Sequence, residues 1–353
     1  MGYQYGSLLK EQLHNVLEIL IQYFIVLQNV EYSQLVQQAN LFYERYSYSY
    51  QLFLEGVSQG SGLTLDDCKI LNAMETLDVF SSSKFSSQLS ACAFLALPAS
   101  KTRSQYNLIG RNYDYNPIYG EIAKDYLNVI QLNDQNGVTS YIVGMIGQIY
   151  CPSCVSDNGI FMELNNGMPS GGTYVEQERQ TLLINLLHII QNSAHFAQAD
   201  KQLMATQSDY SLIINMADHQ FVKSYEYSSS LGMKPFSPAL GQPFASTNYY
   251  QNSSWVGIPP PTDDTTWIGV TRRQNLLNLA NSREVFGILE FQELMDTWLE
   301  NGGAKWNMTI YQMIFDSTPQ NLTIYLKPSF AFDATWTKVP LGSQFQELFL
   351  SSE

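Results

Sequence analysis

The 353-residue chain has few basic residues, and this shortage excludes several classes of partner. Its 18 Lys and Arg stand against 32 Asp and Glu, which leaves a formal net charge of −14 at pH 7. No run of Lys or Arg interrupts this acidic background. Such a charge argues against nucleic acid and against an anionic membrane surface. We therefore expect a neutral or hydrophobic partner.

Cysteine and histidine are also scarce, with four of each. A chain of this length cannot build a disulfide framework from Cys68, Cys92, Cys151 and Cys154. The segment 151–154 has the spacing of a redox pair, but a turn signal follows it, without the context of a helix start after a strand. This favours a loop that holds either a local disulfide or two free thiols. The histidines show no metal-ligand spacing and no triad pattern, so we expect neither a metal nor an organic cofactor.

Long hydrophobic runs are absent as well. The apolar segment 17–27 is interrupted by Glu18 and Gln22, and its apolar residues recur at helical spacing. This pattern predicts an amphipathic helix rather than a signal-peptide core or a membrane span, and no other stretch is long enough to cross a bilayer. Three glycosylation sequons do not assign a compartment, although a secreted, lysosome-like or vacuole-like one is favoured.

The first 80 residues carry helix signals. We expect a first helix through 13–27, a second over 32–54 that 56–62 breaks, and a third from the capping box at Thr64 to near Phe80. A polar, Ser-rich connector follows at 81–88. Connectors of this composition are solvated and flexible, and a chain can be cut there without destroying its core.

After Cys92 the pattern changes to strands and hairpins. Strands are predicted over 126–132, 138–146, 159–165, 209–216, 220–227, 308–315 and 322–327, and helices over 176–191 and 270–279. This succession of strands, helices and strands predicts an α+β layered sandwich.

Two neighbouring segments carry the chemistry. The first, 90–97, is a short apolar run with Cys92 near its head, and the second, 107–115, brings Arg111 and Asp114 to a strand end. Together they predict a β-hairpin that presents reactive groups at one edge. A cysteine alone in such a place is more often a buried, inert thiol.

These two segments resemble the cysteine N-terminal-nucleophile hydrolases. The resemblance is closest to the isopenicillin-N acyltransferase (acyl-CoA:6-aminopenicillanic acid acyltransferase) group, with acid ceramidase, N-acylethanolamine amidase and the choloylglycine hydrolases as relatives. In these families a Cys opens a strand and a Gly-Arg-Asn-x-Asp segment follows, matched here by Cys92 and 110–114. The passages 55–56 and 60–67 are similar to the α-subunit region of the acyltransferase group. The resemblance implies a four-layer αββα sandwich with an N-terminal helical segment.

The same resemblance implies that the chain cuts itself before Cys92. The result would be a helical propeptide or α-subunit, 1–91, which stays associated with a catalytic β-subunit, 92–353. The sulfur of Cys92 would attack the carbonyl of Ala91, and water would open the resulting thioester. The new α-amino group, whose ordinary pKa is about 8, can then accept the thiol proton.

The resemblance also implies roles for other side chains. Arg111 would lower the thiol pKa and hold the acidic partner Asp114, which orients the new amino group. The oxyanion would be bound by the Asn248 side chain and by the backbone N–H of Asn165. Arg272, at the head of a predicted helix, would lie in the active site, and Arg273 is the alternative for this role. Ala91 and Ala93 depart from the family pattern, in which Gly and Ser or Thr are common there.

The function these residues imply is an autoprocessing amidase or acyltransferase. Its substrate would be a small-molecule N-acyl amide, such as a lipid amide, or another acyl donor with a hydrophobic acyl group, cleaved through a thioester. Two alternatives stay open: a catalytically silent binding protein of the same fold, and a phospholipase B-like lipid hydrolase. The sequence does not distinguish hydrolysis from acyl transfer.

Overall fold

The computed structural model describes residues 1–81, 91–133, 137–176, 178–264, 268–330 and 333–342. The Ser-rich connector lies outside these ranges, except for its first residue. The tip of the predicted hairpin at 134–136 lies outside them too.

The N-terminal part is helical, with more elements than the sequence predicts. It comprises α1 (Gly2–Leu8), α2 (Lys10–Gln22), a π-helical turn (Tyr23–Leu27), α3 (Tyr32–Tyr43), α4 (Tyr48–Ser61), α5 (Leu65–Asn72) and α6 (Met74–Ser81). The single helices expected over 32–54 and from Thr64 to Phe80 are wrong, because each is two helices. The expected break at 56–62 is also wrong, since α4 runs through it to a left-handed cap at Gly62.

The glycines of α4 serve close helix packing. A Cβ on Gly60 would overlap the carbonyl oxygen of Tyr3, and a Cβ on Gly6 would overlap that of Val57. Helices α1 and α4 therefore touch backbone to backbone, which only glycine permits. Tertiary packing here overrides the low helix propensity of glycine.

The rest of the chain alternates strands and helices. In order these are β1 (Ala93–Leu97), β2 (Leu108–Asp114), α7 (Pro117–Tyr126), β3 (Leu127–Asn133), β4 (Thr139–Met145), β5 (Ser153–Ser156), β6 (Phe161–Asn166), α8 (Met168–Gly171), α9 (Leu182–Gln191), α10 (Phe196–Ala205), β7 (Leu212–Ala217), β8 (Val222–Ser228), β9 (Gly232–Phe236), β10 (Phe244–Ser246), α11 (Gly269–Asn281), α12 (Ile288–Asp296), β11 (Thr309–Asp316), β12 (Thr323–Pro328) and β13 (Thr337–Pro340). The predicted strands are confirmed within a few residues. The helix expected from Glu176 begins only at Leu182, where the carboxylate of Asp209 accepts the Leu182 N–H at 3.0 Å.

The strands form two sheets in which every neighbouring pair is antiparallel. The six-stranded sheet has the order β10-β1-β2-β11-β12-β13, and the seven-stranded sheet runs from β3 to β9 in sequence order. Phe94 of β1 and Phe161 of β6 approach to 6.1 Å between ring centroids, so the sheets face each other.

Helices cover the two outer faces. The alternate residues of β1, such as Leu95, pack with Leu276 of α11 and Met295 of α12. Helix α9 lies on β4 and β5 of the other sheet and packs against α10. The layers are therefore helix, sheet, sheet and helix, which confirms the αββα sandwich.

The N-terminal helices share one hydrophobic core with the sandwich. The hydroxyl of Tyr115 donates to the carbonyl of Glu75 at 3.1 Å, and that of Tyr119 donates to the carbonyl of Met74 at 3.0 Å. Helix α6 is thus held next to the end of β2. The boundary at 91/92 stays a prediction.

Within the described residues, no single helix has the length and apolar character to cross a bilayer. Two helical segments bent at 118° to each other, Lys10–Leu27 and Tyr32–Tyr43, pass that test only when taken together.

Candidate active site

The β1–β2 hairpin brings the sequence-predicted cysteine and aspartate to one end of the six-stranded sheet. Cys92 directly precedes β1, and Asp114 is the last residue of β2. The strands pair with Ala93 opposite Asn112 and Phe94 opposite Arg111. The Ala91 N–H donates to the carbonyl of Asp114 at 3.1 Å, which ties the residue before Cys92 to the end of β2.

The Cys92 thiol is buried between the sheets, with 1% of the residue exposed. Its Sγ lies 3.4 Å from Nη2 of Arg111 and 3.8 Å from the carbonyl oxygen of Asp114. Burial raises the pKa of this thiol to about 11, and the Arg111 guanidinium opposes the rise. A thiolate here depends on that guanidinium, because the thiolate is the nucleophilic form.

Arg111 is fully buried and held by several acceptors. Nη2 donates to the Leu164 carbonyl at 2.7 Å, and Nη1 donates to the Pro152 carbonyl and to Oγ of Ser153. Nε pairs with Oε2 of Glu163 at 3.2 Å. An unpaired charge at this depth would cost several kcal/mol, so the position requires these partners.

Glu163 is a site residue that the sequence reasoning missed. Burial raises the pKa of its carboxyl to about 7, against the opposing effect of Arg111 and of a hydrogen bond from Asn215. The available signal was its place in an apolar strand, between Met162 and Leu164, because a carboxyl buried there must find a partner.

Asp114 does not pair with Arg111, and this corrects the expected arrangement. Residues three apart on a strand point to opposite faces. Arg111 therefore faces the space between the sheets, while Asp114 faces the helical layer and pairs with Arg272 of α11. Oγ1 of Thr309 donates to the other carboxylate oxygen of Asp114 at 2.5 Å.

Arg272 links this carboxylate to the residue before Cys92. Its Nη1 donates to the carbonyl oxygen of Ala91, and its Nε donates to that of Ala304 at 3.2 Å. Burial raises the pKa of Asp114 to about 6, with Arg272 as the largest opposing influence. The fallback residue, Arg273, lies outside this cluster and donates to the Ala245 carbonyl.

The two predicted asparagines lie near the same end of the sandwich. Asn165 shares a face of β6 with Phe161 and Glu163, which contact the six-stranded sheet, so its side chain points between the sheets. It is fully buried, and neither side-chain atom has a hydrogen-bond partner among the described residues. A buried polar group left unpaired costs about 1–3 kcal/mol, so its retention fits a group that meets a ligand.

Asn248 is placed by the pairing of β1 with β10. Phe94 lies opposite Ser246, so Asn248 follows β10 at the end where Cys92 precedes β1. Its Nδ2 donates to the Asn166 carbonyl at 3.0 Å, which joins it to the strand that carries Asn165.

A cavity of about 290 Å³ opens beside Asn248. Its lining is Pro169, Ser170, Asn248, Tyr249, Gly257, Ile258, Pro259, Pro261, Asp263, Gly269 and Val270. Asp263 is the one charged member of this described lining. Across the described residues, this cavity included, no three His, Cys, Asp or Glu side chains are grouped so as to hold a metal ion.

None of the other three cysteines contacts the Cys92 thiol directly. Cys151 and Cys154 form a disulfide, which decides between the two readings of that segment. Cys68 is a buried free thiol on α5.

No protein-family model matches the chain, and no curated protein matches its sequence. Solved structures do resemble it. An N-acylethanolamine-hydrolyzing acid amidase ortholog of Caenorhabditis elegans is 13% identical at a TM-score of 0.49, over 64% of this chain and 93% of the other.

Two forms of the conjugated bile acid hydrolase of Clostridium perfringens are 12% and 13% identical, both at a TM-score of 0.47 and over 70% of this chain and 92% of theirs. None of the three is an isopenicillin-N acyltransferase, so closeness to that group stays a prediction. Identities this low do not transfer a function, which has to be argued from the site.

Proposed function

We propose that this protein is an autoprocessing cysteine amidase in which Cys92 cuts the chain before itself and then cleaves N-acyl amides. The observation that carries the proposal is the contact of Arg272 with the carbonyl oxygen of Ala91. That carbonyl is the one the Cys92 sulfur would attack. A buried guanidinium there would stabilise the negative charge that develops on its oxygen.

In the first reaction, Sγ of Cys92 bonds to the carbonyl carbon of Ala91, the peptide C–N bond breaks, and the thiol proton passes to the departing nitrogen. Water then hydrolyses the thioester, which leaves a carboxylate on Ala91 and a free amino group on Cys92. We assign the orientation of that amino group to Asp114, whose carbonyl now accepts the N–H of the neighbouring Ala91 and whose carboxylate pairs with Arg272.

In the second reaction the amino group accepts the thiol proton, and the sulfur attacks the amide carbonyl of a substrate. Arg111 stabilises the thiolate, and Asn248 with the backbone N–H of Asn165 binds the oxyanion. The leaving amine takes the proton, and water releases the acid from the thioester. An amine in place of that water would make the reaction an acyl transfer.

The cavity beside Asn248, the proposed oxyanion donor, supports a small, uncharged group in the substrate. About 290 Å³ is at the lower end of ligand pockets, which run from roughly 300 to 1,000 Å³. Its prolines, Ile258 and Val270 suit an apolar group, and the carboxylate of Asp263 would repel an anionic one. A neutral amide therefore fits this site better than an amide that carries a negative charge beside the cleaved bond.

Hydrolysis of N-acylethanolamines by the full-length protein tests the proposal. We expect Cys92→Ala to lower turnover to background, because no sulfur remains to form the acyl-enzyme. Cys68→Ala is the matched control, since it removes the other buried free thiol and should keep turnover per folded molecule. Wild-type turnover in Cys92→Ala would refute the proposal.

A further inference from the structure

The disulfide between Cys151 and Cys154 encloses two of the residues that hold Arg111. Its Cα atoms lie 5.4 Å apart, and both cysteines are fully buried. Between them stand Pro152, whose carbonyl accepts from Nη1 of Arg111, and Ser153, whose Oγ accepts from the same nitrogen. The ring closed by the disulfide thus contains both acceptors of one end of the guanidinium.

The other end of that guanidinium touches the thiol. Nη2 of Arg111 lies 3.4 Å from Sγ of Cys92 and 2.7 Å from the Leu164 carbonyl. A shift of the acceptors at Nη1 would therefore turn the rigid, planar group and change the contact at Nη2. The side chain of Arg111 therefore connects the disulfide ring to the candidate nucleophile, Cys92.

The ring is anchored on both sides. The Cys151 N–H donates to the Leu183 carbonyl of α9 at 3.3 Å, and Cys154 pairs with Met162 across β5 and β6. The S–S bond is the covalent link that holds the backbone between these anchors in one conformation. Without it, the direction of the Pro152 carbonyl would depend on its 3.4 Å hydrogen bond from the Leu164 N–H and on the pairing of Ser153 with Glu163.

We propose that the Cys151–Cys154 disulfide is a positioning element for Arg111, and that breaking it lowers the reactivity of the Cys92 thiol. Reduction would break the S–S bond, with two electrons and two protons taken from a dithiol that becomes a disulfide. The protein would then respond to reductant in the opposite sense to most thiol enzymes. It would lose activity although Cys92 stays reduced.

The test compares rates of alkylation by iodoacetamide at pH 8, read at the Cys92 and Cys68 peptides by mass spectrometry. The samples are the oxidised wild-type protein, the same protein reduced with dithiothreitol and desalted, and the Cys151→Ser/Cys154→Ser double variant. We expect Cys92 alkylation to slow about tenfold on loss of the disulfide, which corresponds to one unit of thiol pKa. The rate at Cys68 should not change.

Ser153→Ala is the second variant, because it keeps the disulfide and removes one acceptor of Arg111. We expect a smaller slowing at Cys92 in this protein, and it remains informative if the double variant does not fold. An unchanged rate at Cys92 in the reduced protein would overturn the proposal. Faster alkylation of both Cys92 and Cys68 would also overturn it, since it would mean general loosening.

Amide turnover is measured in parallel, and the result expected for it rests on the proposed function. There we expect kcat/KM to fall by the same factor on reduction, with KM nearly unchanged. Slowed alkylation in a protein that cleaves no amide would count against the proposed function and in favour of this inference.

Discussion

At the scale of residues, two buried ion pairs organise the candidate site. Arg111 with Glu163 lies between the sheets, and Asp114 with Arg272 lies toward the helical layer. Breaking one partner of such a pair costs about 3–5 kcal/mol, because the other charge stays buried. Each carboxylate therefore balances the charge of its arginine and also holds the guanidinium in place.

The sequence predicts Arg111 and Asp114 as site residues, and Arg272 as well, but it assigns the wrong partner to Arg111. The two hairpin residues are close in the chain, whereas Glu163 and Arg272 come from distant elements that only the folded sheets bring near. Strand alternation, applied to 111–114, would have placed the two charges on opposite faces. The identity of Glu163 as the partner required the packing of β6 on β2.

The first prediction concerns Glu163→Gln, which copies the protonated carboxyl. Because burial raises the pKa of Glu163 to about 7, the wild-type carboxyl is mostly protonated at pH 5 and mostly charged at pH 8. We expect kcat/KM of the variant to match wild type at pH 5 and to fall at least tenfold below it at pH 8.

Glu290→Gln is the control for that comparison, since Glu290 pairs with Arg103 at the surface. It should leave kcat/KM unchanged at both pH values. An equal loss at pH 5 and pH 8 in Glu163→Gln would show that the charge of Glu163 does not support Arg111.

At the scale of elements, the strands and hairpins are predicted well, and the helices less so. Turn signals and alternation place β3, β4, β6 and β11 within a few residues, because both depend on local backbone geometry. The glycines of α4 led to a wrong prediction of a helix break, because their role is to pack against α1, more than forty residues away. Local propensity cannot reveal a contact of that kind.

The second prediction concerns this helix pair. Gly60→Ala should lower the free energy of unfolding by about 1–3 kcal/mol, because its Cβ would meet the backbone of Tyr3 and force the helices apart. In an isolated helix the same change would stabilise by about 1 kcal/mol. Urea unfolding of both Gly60→Ala and the exposed neighbour Gln59→Ala separates the clash from the effect of helix propensity. The free energy of unfolding of Gln59→Ala should lie within about 0.5 kcal/mol of wild type. A more stable Gly60→Ala would contradict the close packing.

At the scale of the whole molecule, the chain buries several carboxyl groups whose pKa values are raised. Burial is the largest cause of a raised pKa at each of Glu75, Asp78, Asp114, Glu163, Asp209 and Glu226. The values reach about 7 at Glu75 and Asp78. The folded chain therefore holds protons that the unfolded chain, with ordinary carboxyls, releases above about pH 4.

The third prediction follows from this difference. The stability contributed by these groups is full below their ordinary pKa values and is lost as the pH rises through 6 and 7. We expect the free energy of unfolding to be higher at pH 5 than at pH 8. Glu75→Gln should flatten the slope, and the exposed Glu284→Gln should leave it unchanged. Greater stability at pH 8 would contradict the burial of these carboxyls.

We propose that the chain is cut before Cys92 and that the cysteine, as the new N-terminal residue, is the nucleophile. Intact mass under denaturing conditions, with N-terminal sequencing, tests it most directly on the wild-type protein and on Cys92→Ala. We expect two fragments from the wild type, 1–91 and 92–353, the larger beginning Cys-Ala-Phe, and one uncut chain from Cys92→Ala. An uncut wild-type chain of 40.0 kDa with full amidase activity would contradict it.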